Sequence, residues 1–294
     1  MKQLELSKKE MKKFYFAYGS NLNIDDLREY EKRKNKVFVD TINILDGIFF
    51  LPDYELQFPV KSHTRKGGVL DVTPNVGHAV AGKLFEIDNW DLLDKKEGSP
   101  YFYKPIDITV IDENGKTFDA ITYVVNSEKQ EGYQKPHEDY VRVVSEGYAD
   151  FKILEKYPWA HENLISASEN KQCSMIDIVF VYGTLKKGQC REQSMNGISL
   201  GSKDENITAK MYNIGEFPAI TLEKGEVFGE IHRVKKEQES LESLDQIEGF
   251  IGYDKSSLYN RILINSSQGM CWTYVWNGDI GAYPVIKSGN WDES

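Results

Sequence analysis

Apolar and polar positions alternate with period two along some stretches and fall three or four apart along others, and the changes of period mark the elements. A β-type run at 13–18 stops at Gly19, and Asn23-Ile24-Asp25-Asp26-Leu27 then opens a helix with Asn23 or Asp25 as its cap. The basic run at 32–36 reads as a solvated loop. Residues 37–60 are β-type, broken by the turn signals Asp46-Gly47 and Pro52-Asp53. Gly67-Gly68 opens an apolar run at 69–72, and 80–87 alternates as a half-buried strand. Asp88 is placed to cap a short helix that turns Trp90, Leu92 and Leu93 inward, delivers Glu97 at its end and stops at Gly98. Strands at 105–111 and 118–125 flank a turn at 112–116. Pro136 starts a helix with Tyr140, Val144, Tyr148 and Phe151 on one face. The stretch 156–177 is polar and unpatterned, which predicts a linker. Beyond it lie strands at 178–181 and 227–234, a helix at 239–247 and a hairpin of 259–264 with 271–276. No counterpart of the helix beginning at Pro136 follows.

Two signatures occur twice, in the same order. Phe16-Ala17-Tyr18-Gly19-Ser20-Asn21-Leu22 is answered by Val181-Tyr182-Gly183-Thr184-Leu185-Lys186, and Leu93-Asp94-Lys95-Lys96-Glu97-Gly98 by Leu244-Asp245-Gln246-Ile247-Glu248-Gly249. The glycines lie 164 positions apart (183 − 19) and the glutamates 151 (248 − 97). Order-preserving repeats at similar offsets indicate an internal duplication. The 294 residues therefore divide into an N-terminal arm (1–12), a first domain (13–156), a linker (157–176) and a second domain (177–294). Each half is mostly antiparallel strands with a few helices, which predicts the α+β class with two tandem small antiparallel β-barrels flanked by helices.

Composition changes this picture little. The chain is 40% hydrophobic and 28% charged, and its 17 tyrosines favour β-rich structure. A net charge of −10 argues against nucleic acid or an anionic membrane as partner. No run approaches the ~20 apolar residues of a membrane span. Residues 1–12 have no apolar signal-like core and read as a charged arm. Cys173, Cys190 and Cys271 are odd in number and widely spaced, so they fit neither a disulfide framework nor a zinc site, and a reducing, cytosolic compartment is expected. Cys190, just past the second glycine loop, is either a bystander or a reactive thiol. His63, His78, His137, His161 and His232 have no metal spacing and no partner pattern for a serine or cysteine nucleophile. No metal and no cofactor is expected, and the oligomeric state is not legible.

A strand that runs into Tyr-Gly-Ser-Asn and then a helix start leaves backbone N–H groups facing outward, where they suit a carboxylate or an oxyanion. Gly19 permits a positive φ or a close backbone approach to a ligand. The phosphate-loop pattern is absent. Glu97 sits at a helix C-terminus, where the macrodipole disfavours an acid, and Glu248 repeats that oddity. With aromatic neighbours such as Tyr101, Phe102 and Tyr103, a glutamate so placed is expected to have a raised pKa and to carry a proton. Singly, each motif suits a plain turn or a solvated acid as well; their repetition points to a role.

With both signatures in hand, the chain resembles the γ-glutamylcyclotransferase superfamily in tandem, over nearly everything outside the arm and the linker. The first half is similar to the Tyr-Gly-Ser-Asn-Leu branch through Gly67-Gly68-Val69-Leu70-Asp71-Val72, Val80-Ala81-Gly82, Glu97-Gly98 followed by Tyr103, and Pro136-His137-Glu138-Asp139-Tyr140. The second half resembles the Tyr-Gly-Thr-Leu-Lys branch, that of γ-glutamylamine cyclotransferase and the plant avirulence-induced proteins. There the matching pieces are Gly188, Phe217-Pro218-Ala219-Ile220, and Glu248-Gly249 followed by Tyr259 and Arg261. The resemblance implies a small β-barrel flanked by helices and a reaction that releases 5-oxoproline from a γ-glutamyl amide. It implies Glu97 and Glu248 as the acid/base and Tyr140 as a substrate contact. It implies γ-glutamyl-binding loops made of Tyr18, Gly19, Ser20, Asn21 and Leu22 and of Tyr182, Gly183, Thr184, Leu185 and Lys186. The implied partner is a small γ-glutamyl compound, either a free γ-glutamyl amino acid or amine or a γ-glutamyl-capped product of the butirosin type. An acidic chain suits the cationic aminoglycoside. The glycine-to-glutamate spacing is 78 in the first half (97 − 19) and 65 in the second (248 − 183), so the pockets are expected to differ in loop trimming and substrate. A non-catalytic binding module on the same fold is the alternative.

Overall fold

The computed structural model describes residues 14–37, 39–253 and 256–291, so the expected arm at 1–12 lies outside the described residues. The first half runs β1 (Phe14–Ala17), α1 (Ile24–Lys34), β2 (Ile42–Ile44), β3 (Phe49–Ser62), β4 (Gly67–Ile87), α2 (Trp90–Glu97), β5 (Tyr103–Asp112), β6 (Thr117–Val125), α3 (Glu138–Asp150), α4 (Ile153–Lys156) and α5 (Pro158–Ser168). The second runs β7 (Ile178–Val181), β8 (Ser199–Ile207), β9 (Lys210–Asn213), β10 (Pro218–Thr221), β11 (Val227–Val234), α6 (Gln238–Glu248), β12 (Tyr259–Ser266) and β13 (Gly269–Trp276).

Five first-half strands close on themselves. Their hydrogen-bonded order is β1-β6-β5-β3-β4, and β4 pairs again with β1. Closure leaves no free edge within this ring. Strand β1 is antiparallel to β4 but parallel to β6, so the barrel is not wholly antiparallel. In the second half the order is β12-β13-β7-β11-β8, with β13 parallel to β7 and β9 with β10 as a separate ribbon. Among the described residues no ladder joins β8 to β12, so this sheet stays open where β3 meets β5 in the first half.

The duplication is visible in the packing. Phe16 stacks on Tyr18 and Phe180 on Tyr182, each at 6.3 Å between ring centres. Beneath them a Cβ on Gly82 or Gly229 would lie 2.3 Å from the carbonyl oxygen of Ala17 or Val181, so only glycine fits at either place. Thr122 donates to the Phe16 carbonyl at 2.9 Å, and Thr273 to that of Phe180 at 3.1 Å.

Three expectations need correcting. The segment 157–176 is not an unstructured linker: it carries α5, whose Ala160, Leu164 and Ala167 are buried on the first-half core. Pro158 at the first helical position starts that helix, and its apolar stripe is diluted by His161, Glu162, Asn163 and Ser166. Pro52-Asp53 does not break the strand; β3 runs through it, with Asp53 at φ +60° where the register with β4 shifts. The pieces at 69–72 and 80–87 are two ends of one 21-residue strand, β4.

The halves meet through a buried cation. Arg261, 1% exposed in its side chain, reaches Asp53 Oδ2 at 2.5 Å and Asp245 Oδ2 at 3.3 Å. It lies between the rings of Trp272 and Phe250, at 4.7 and 5.2 Å. Asp53 Oδ1 accepts the Gly77 N–H at 2.9 Å, which aims the carboxylate at the second half. Among the described residues no helix is long and apolar enough to cross a membrane.

Candidate active site

The first cleft lies where β1 runs into its loop. After Ala17 the chain passes Tyr18 and Gly19 into a single turn at Ser20–Leu22, and Asn23 then caps α1 by accepting the Asp26 N–H at 2.9 Å. Among the described residues no acceptor takes the N–H groups of Ser20 and Asn21, both of which line the cleft. Gly19 has φ −114°, so it is not needed for a positive φ. A Cβ there would meet Leu70 at 3.6 Å and the Tyr140 hydroxyl at 3.9 Å, ordinary contacts that leave the space above it clear.

Glu97 enters from the end of α2. Asn89, not Asp88, caps that helix, through the Leu92 N–H at 3.3 Å, and Gly98 ends it at φ 65°. The Glu97 Oε1 accepts from Asn21 Nδ2 at 2.8 Å and lies 3.6 Å from the Lys96 ammonium. Asn21 is the hub: its Nδ2 also lies 2.7 Å from the Tyr15 hydroxyl, and its Oδ1 accepts from Lys96. Glycine loop and helix end, 76 residues apart, are thus joined by one amide. Tyr140, on α3, accepts the Leu70 N–H through its hydroxyl at 3.3 Å. Arg65 stands 5.4 Å over the Tyr140 ring and grips Asp26 at 2.8 and 2.5 Å. The cleft holds about 360 Å³.

The second cleft is built the same way and trimmed differently. Tyr18 gives its hydroxyl proton to the Tyr123 carbonyl at 2.9 Å, and Tyr182 to that of Tyr274 at 2.8 Å. Tyr123 and Tyr274 in turn donate to Asp94 and Asp245, each at 2.7 Å. Tyr103 donates to the Leu70 carbonyl at 3.0 Å and Tyr259 to that of Pro218 at 2.8 Å, which makes Phe217-Pro218 the counterpart of Val69-Leu70. At the glutamate the halves part. Leu185 and Ile247 stand where the first half has Asn21 and Lys96, and among the described residues the Glu248 carboxyl has no hydrogen-bond partner. The space is about 80 Å³, walled by Phe217, Pro218, Leu258 and Tyr259.

The Glu248 carboxyl is pushed up to about 7 by burial, against the pull of Arg191. The folded chain therefore holds this proton at a pH where the unfolded chain has lost it. The stability this confers is full below about 4.5 and is lost as pH rises through about 7. Glu248→Gln is expected to be more stable than the parent at about pH 8, by up to about 3 kcal/mol, with the gap closing towards about pH 4. Urea titrations at the two pH values measure it, and a gap that ignores pH would refute the raised acid.

The structure brings Gly19, Ser20, Asn21, Tyr140 and Glu97 around one cleft and Gly183, Thr184, Leu185 and Glu248 around the other. Tyr18 and Tyr182 line them as walls, with their hydroxyls committed to backbone. Leu22 is fully buried and lines neither cleft. Lys186 points to a separate depression, where its Nζ meets Asn290 Oδ1 at 2.7 Å. Tyr101 is 80% exposed and is no neighbour of the site. Sequence reasoning missed one side-chain chain: His232 Nδ1 lies 2.9 Å from Ser199 Oγ and its Nε2 3.1 Å from Glu230 Oε2. The Glu-x-His spacing on one strand face was the available signal. Neither Ser199 nor His232 lines a cleft. Cys190 is exposed, whereas Cys173 and Cys271 are buried, which raises their thiols to about 11 and about 12.

Comparison with known proteins decides the family. The chain is 35% identical over 107 residues to the Gamma-L-glutamyl-butirosin B gamma-glutamyl cyclotransferase of Niallia circulans, spanning 34% of this chain and 67% of that one. The chain belongs to the γ-glutamyl cyclotransferase family. The family described as Gamma-glutamyl cyclotransferase, AIG2-like matches residues 179–293 of this cyclotransferase-family chain, and the AIG2-like family matches 79–160. The Gamma-glutamylcyclotransferase family protein ytfP of Citrobacter rodentium is 28% identical over 113 residues, 38% of this chain and 93% of the relative. Among solved structures, one titled Gamma-glutamyl cyclotransferase is 22% identical with TM-score 0.44, covering 52% of this cyclotransferase-family chain and 86% of its own.

Proposed function

We propose that the first half releases 5-oxoproline from a γ-glutamyl amide, with Glu97 as acid/base. The observation that carries this reading is the Asn21–Glu97 contact at 2.8 Å, which holds a carboxylate beside the Ser20 and Asn21 amides in one cleft. The enzyme needs to supply no nucleophile. The substrate's α-nitrogen attacks its own γ-carbonyl carbon, the ring N–C bond forms, and the γ-carbon–amine bond breaks. One α-ammonium proton stays on the ring nitrogen, and Glu97 passes the other two in turn to the departing amine. No water is consumed. The loop amides are placed for the α-carboxylate or the developing oxyanion, and Tyr140 closes the cleft beside Gly19. Most of the task is orientation: a curled glutamyl arm converts a slow collision into a near-attack geometry. Glu248 has the same place in the second half, with a smaller and more apolar space. Its carboxyl at about 7 predicts second-half turnover that rises with pH up to about 7 and then levels.

The substrates that fit this reading are free γ-glutamyl amino acids or amines and γ-glutamyl-capped natural products, the last suggested by the name of the Niallia circulans relative. The three unpaired thiols are in keeping with a reducing compartment. Mass spectrometry after incubation with γ-glutamyl amino acids, glutathione, ε-(γ-glutamyl)lysine and a γ-glutamylated aminoglycoside tests the reaction. The expected products are 5-oxoproline and the free amine. Free glutamate would mean hydrolysis instead, and tight binding without product would mean a binding module.

A further inference from the structure

Glu97 and Glu248 end equivalent helices, but they are not held alike. In the first half Asn21 ties the glycine loop to Glu97 directly. In the second half Leu185 stands in the place of Asn21, and that tie is gone. The end of α6 is held from another side. Asp245 lies three residues before Glu248, just under one turn back on the same face of α6. Its Oδ1 accepts from the Tyr274 hydroxyl at 2.7 Å, and its Oδ2 lies 3.3 Å from Arg261 Nη1. Arg261 in turn is aimed by the first half. Its Nη2 donates to Asp53 Oδ2 at 2.5 Å, whereas its Nε and Nη1 are buried without a hydrogen-bond partner among the described residues. Asp53 is itself fixed by the Gly77 N–H at 2.9 Å. Gly77 also seats the first part of the same helix: a Cβ there would come within 2.8 Å of Leu241, which is fully buried. Helix α6 therefore meets the first half along one stripe, directly at Leu241 and through Arg261 at Asp245, and Glu248 continues that stripe.

The first half has no such arrangement. Pro105 pairs with Tyr123 across β5 and β6 as Arg261 pairs with Tyr274 across β12 and β13, so a proline stands in the place of the arginine. Asp94, the counterpart of Asp245, makes no ion pair among the described residues. Asp53 lines neither cleft, so it meets no substrate. We propose that Asp53 of the first half is a positioning residue for the acid of the second: acting through Arg261 and Asp245 it fixes the end of α6, and the second site is incomplete without the first half. This rests on the cyclotransferase reading of Glu248. Placement of an acid matters because an error of about 1 Å at the reacting groups can cost about a hundredfold in rate. The other titratable groups around this line are Tyr253, Tyr274 and Glu242 beside Arg261 and Asp245, and Arg191, Tyr182 and Tyr259 beside Glu248. Burial keeps the four tyrosines protonated well above neutral pH, so they add no charge there.

The test reads each site of the full chain alone, the second in a Glu97→Gln background and the first in a Glu248→Gln background, with ε-(γ-glutamyl)lysine and γ-glutamyl amino acids as substrates. Asp53→Asn is expected to lower second-site kcat about tenfold with KM changed less than about threefold, because the glycine loop that receives the substrate is outside the line. First-site kcat stays as it was. In an Arg261→Met background, where the buried charge is gone and folding is restored, Asp53→Asn has no further effect on second-site kcat. An unchanged second-site kcat, a loss confined to KM, an equal loss at both sites, or a full further loss in the Arg261→Met background overturns the proposal. A second measurement needs no turnover. In chain labelled with carboxyl-13C glutamate, the Glu248 signal is the one lost in Glu248→Gln, and its titration is followed by NMR on the folded protein. The midpoint, about 7 in the parent, falls by about half a pH unit or more in Asp53→Asn, since a negative charge leaves the line and a loosened helix end lets water reach the carboxyl. An anchor that serves stability alone changes the folded fraction and leaves this midpoint in place; a midpoint unchanged or raised overturns the proposal. If no substrate yields 5-oxoproline from either site, the cyclotransferase reading fails, and the titration decides the positioning role on its own.

Discussion

Glu97→Gln, made in a chain already carrying Glu248→Gln, is expected to lower kcat for 5-oxoproline release by at least about a hundredfold. Glutamine keeps the length and shape of the side chain and retains an oxygen for the Asn21 amide, so the cleft keeps its form. What it lacks is a site that takes a proton from the α-ammonium and returns it to the departing nitrogen. The change should therefore appear in kcat with substrate Kd altered only a few-fold, the signature of an interaction made in the transition state. The side chain is 14% exposed and lies at a helix end rather than in the core, so unfolding does not confound the result. Full turnover in the double variant would remove Glu97 from the reaction. Each single variant then assigns the rate to its own half.

The largest stability change is expected at the contact between the halves. Asp53→Asn should cost about 3 kcal/mol in urea unfolding. Asparagine tolerates the left-handed backbone that Asp53 adopts, so the substitution isolates the charge. Without that carboxylate, Arg261 is a buried cation whose remaining counter-ion is Asp245 at 3.3 Å. Arg261→Met in the same chain should recover much of the loss, because it removes the charge and keeps apolar bulk between Trp272 and Phe250. A loss below about 1 kcal/mol for Asp53→Asn would mean that Asp245 suffices alone.

What could be read from the chain follows the range of the interaction. The repeated loops and helix ends were legible because each is a local motif with its own turn chemistry, and the duplication doubled the signal. Phe217-Pro218 and Val69-Leu70 follow their glycine loops in the same order, and the Tyr259 and Tyr103 hydrogen bonds pair them. Helix α5 was missed because only Ala160, Leu164 and Ala167 of its residues form an apolar stripe, and alanine carries little hydrophobic weight. Asn21 was named as part of a loop, but its link to Glu97 spans 76 residues and has no sequence period. The open seam between β8 and β12 was equally hidden: strand content is local, whereas closure depends on where two distant edges arrive.

The Asp53–Arg261 contact joins residues 208 positions apart in a chain that is made from its N-terminus. All the strands of the closed barrel precede residue 126, so that barrel can form while the second half is still being synthesised. Arg261 then emerges opposite a carboxylate already fixed in place. The first copy offers a formed surface on which the second is completed, and the two share one core. A ribosome that stalls in the second half leaves behind a chain with every strand of the closed barrel, whereas a start codon used between the halves yields a chain that must bury an arginine without its Asp53 counter-ion.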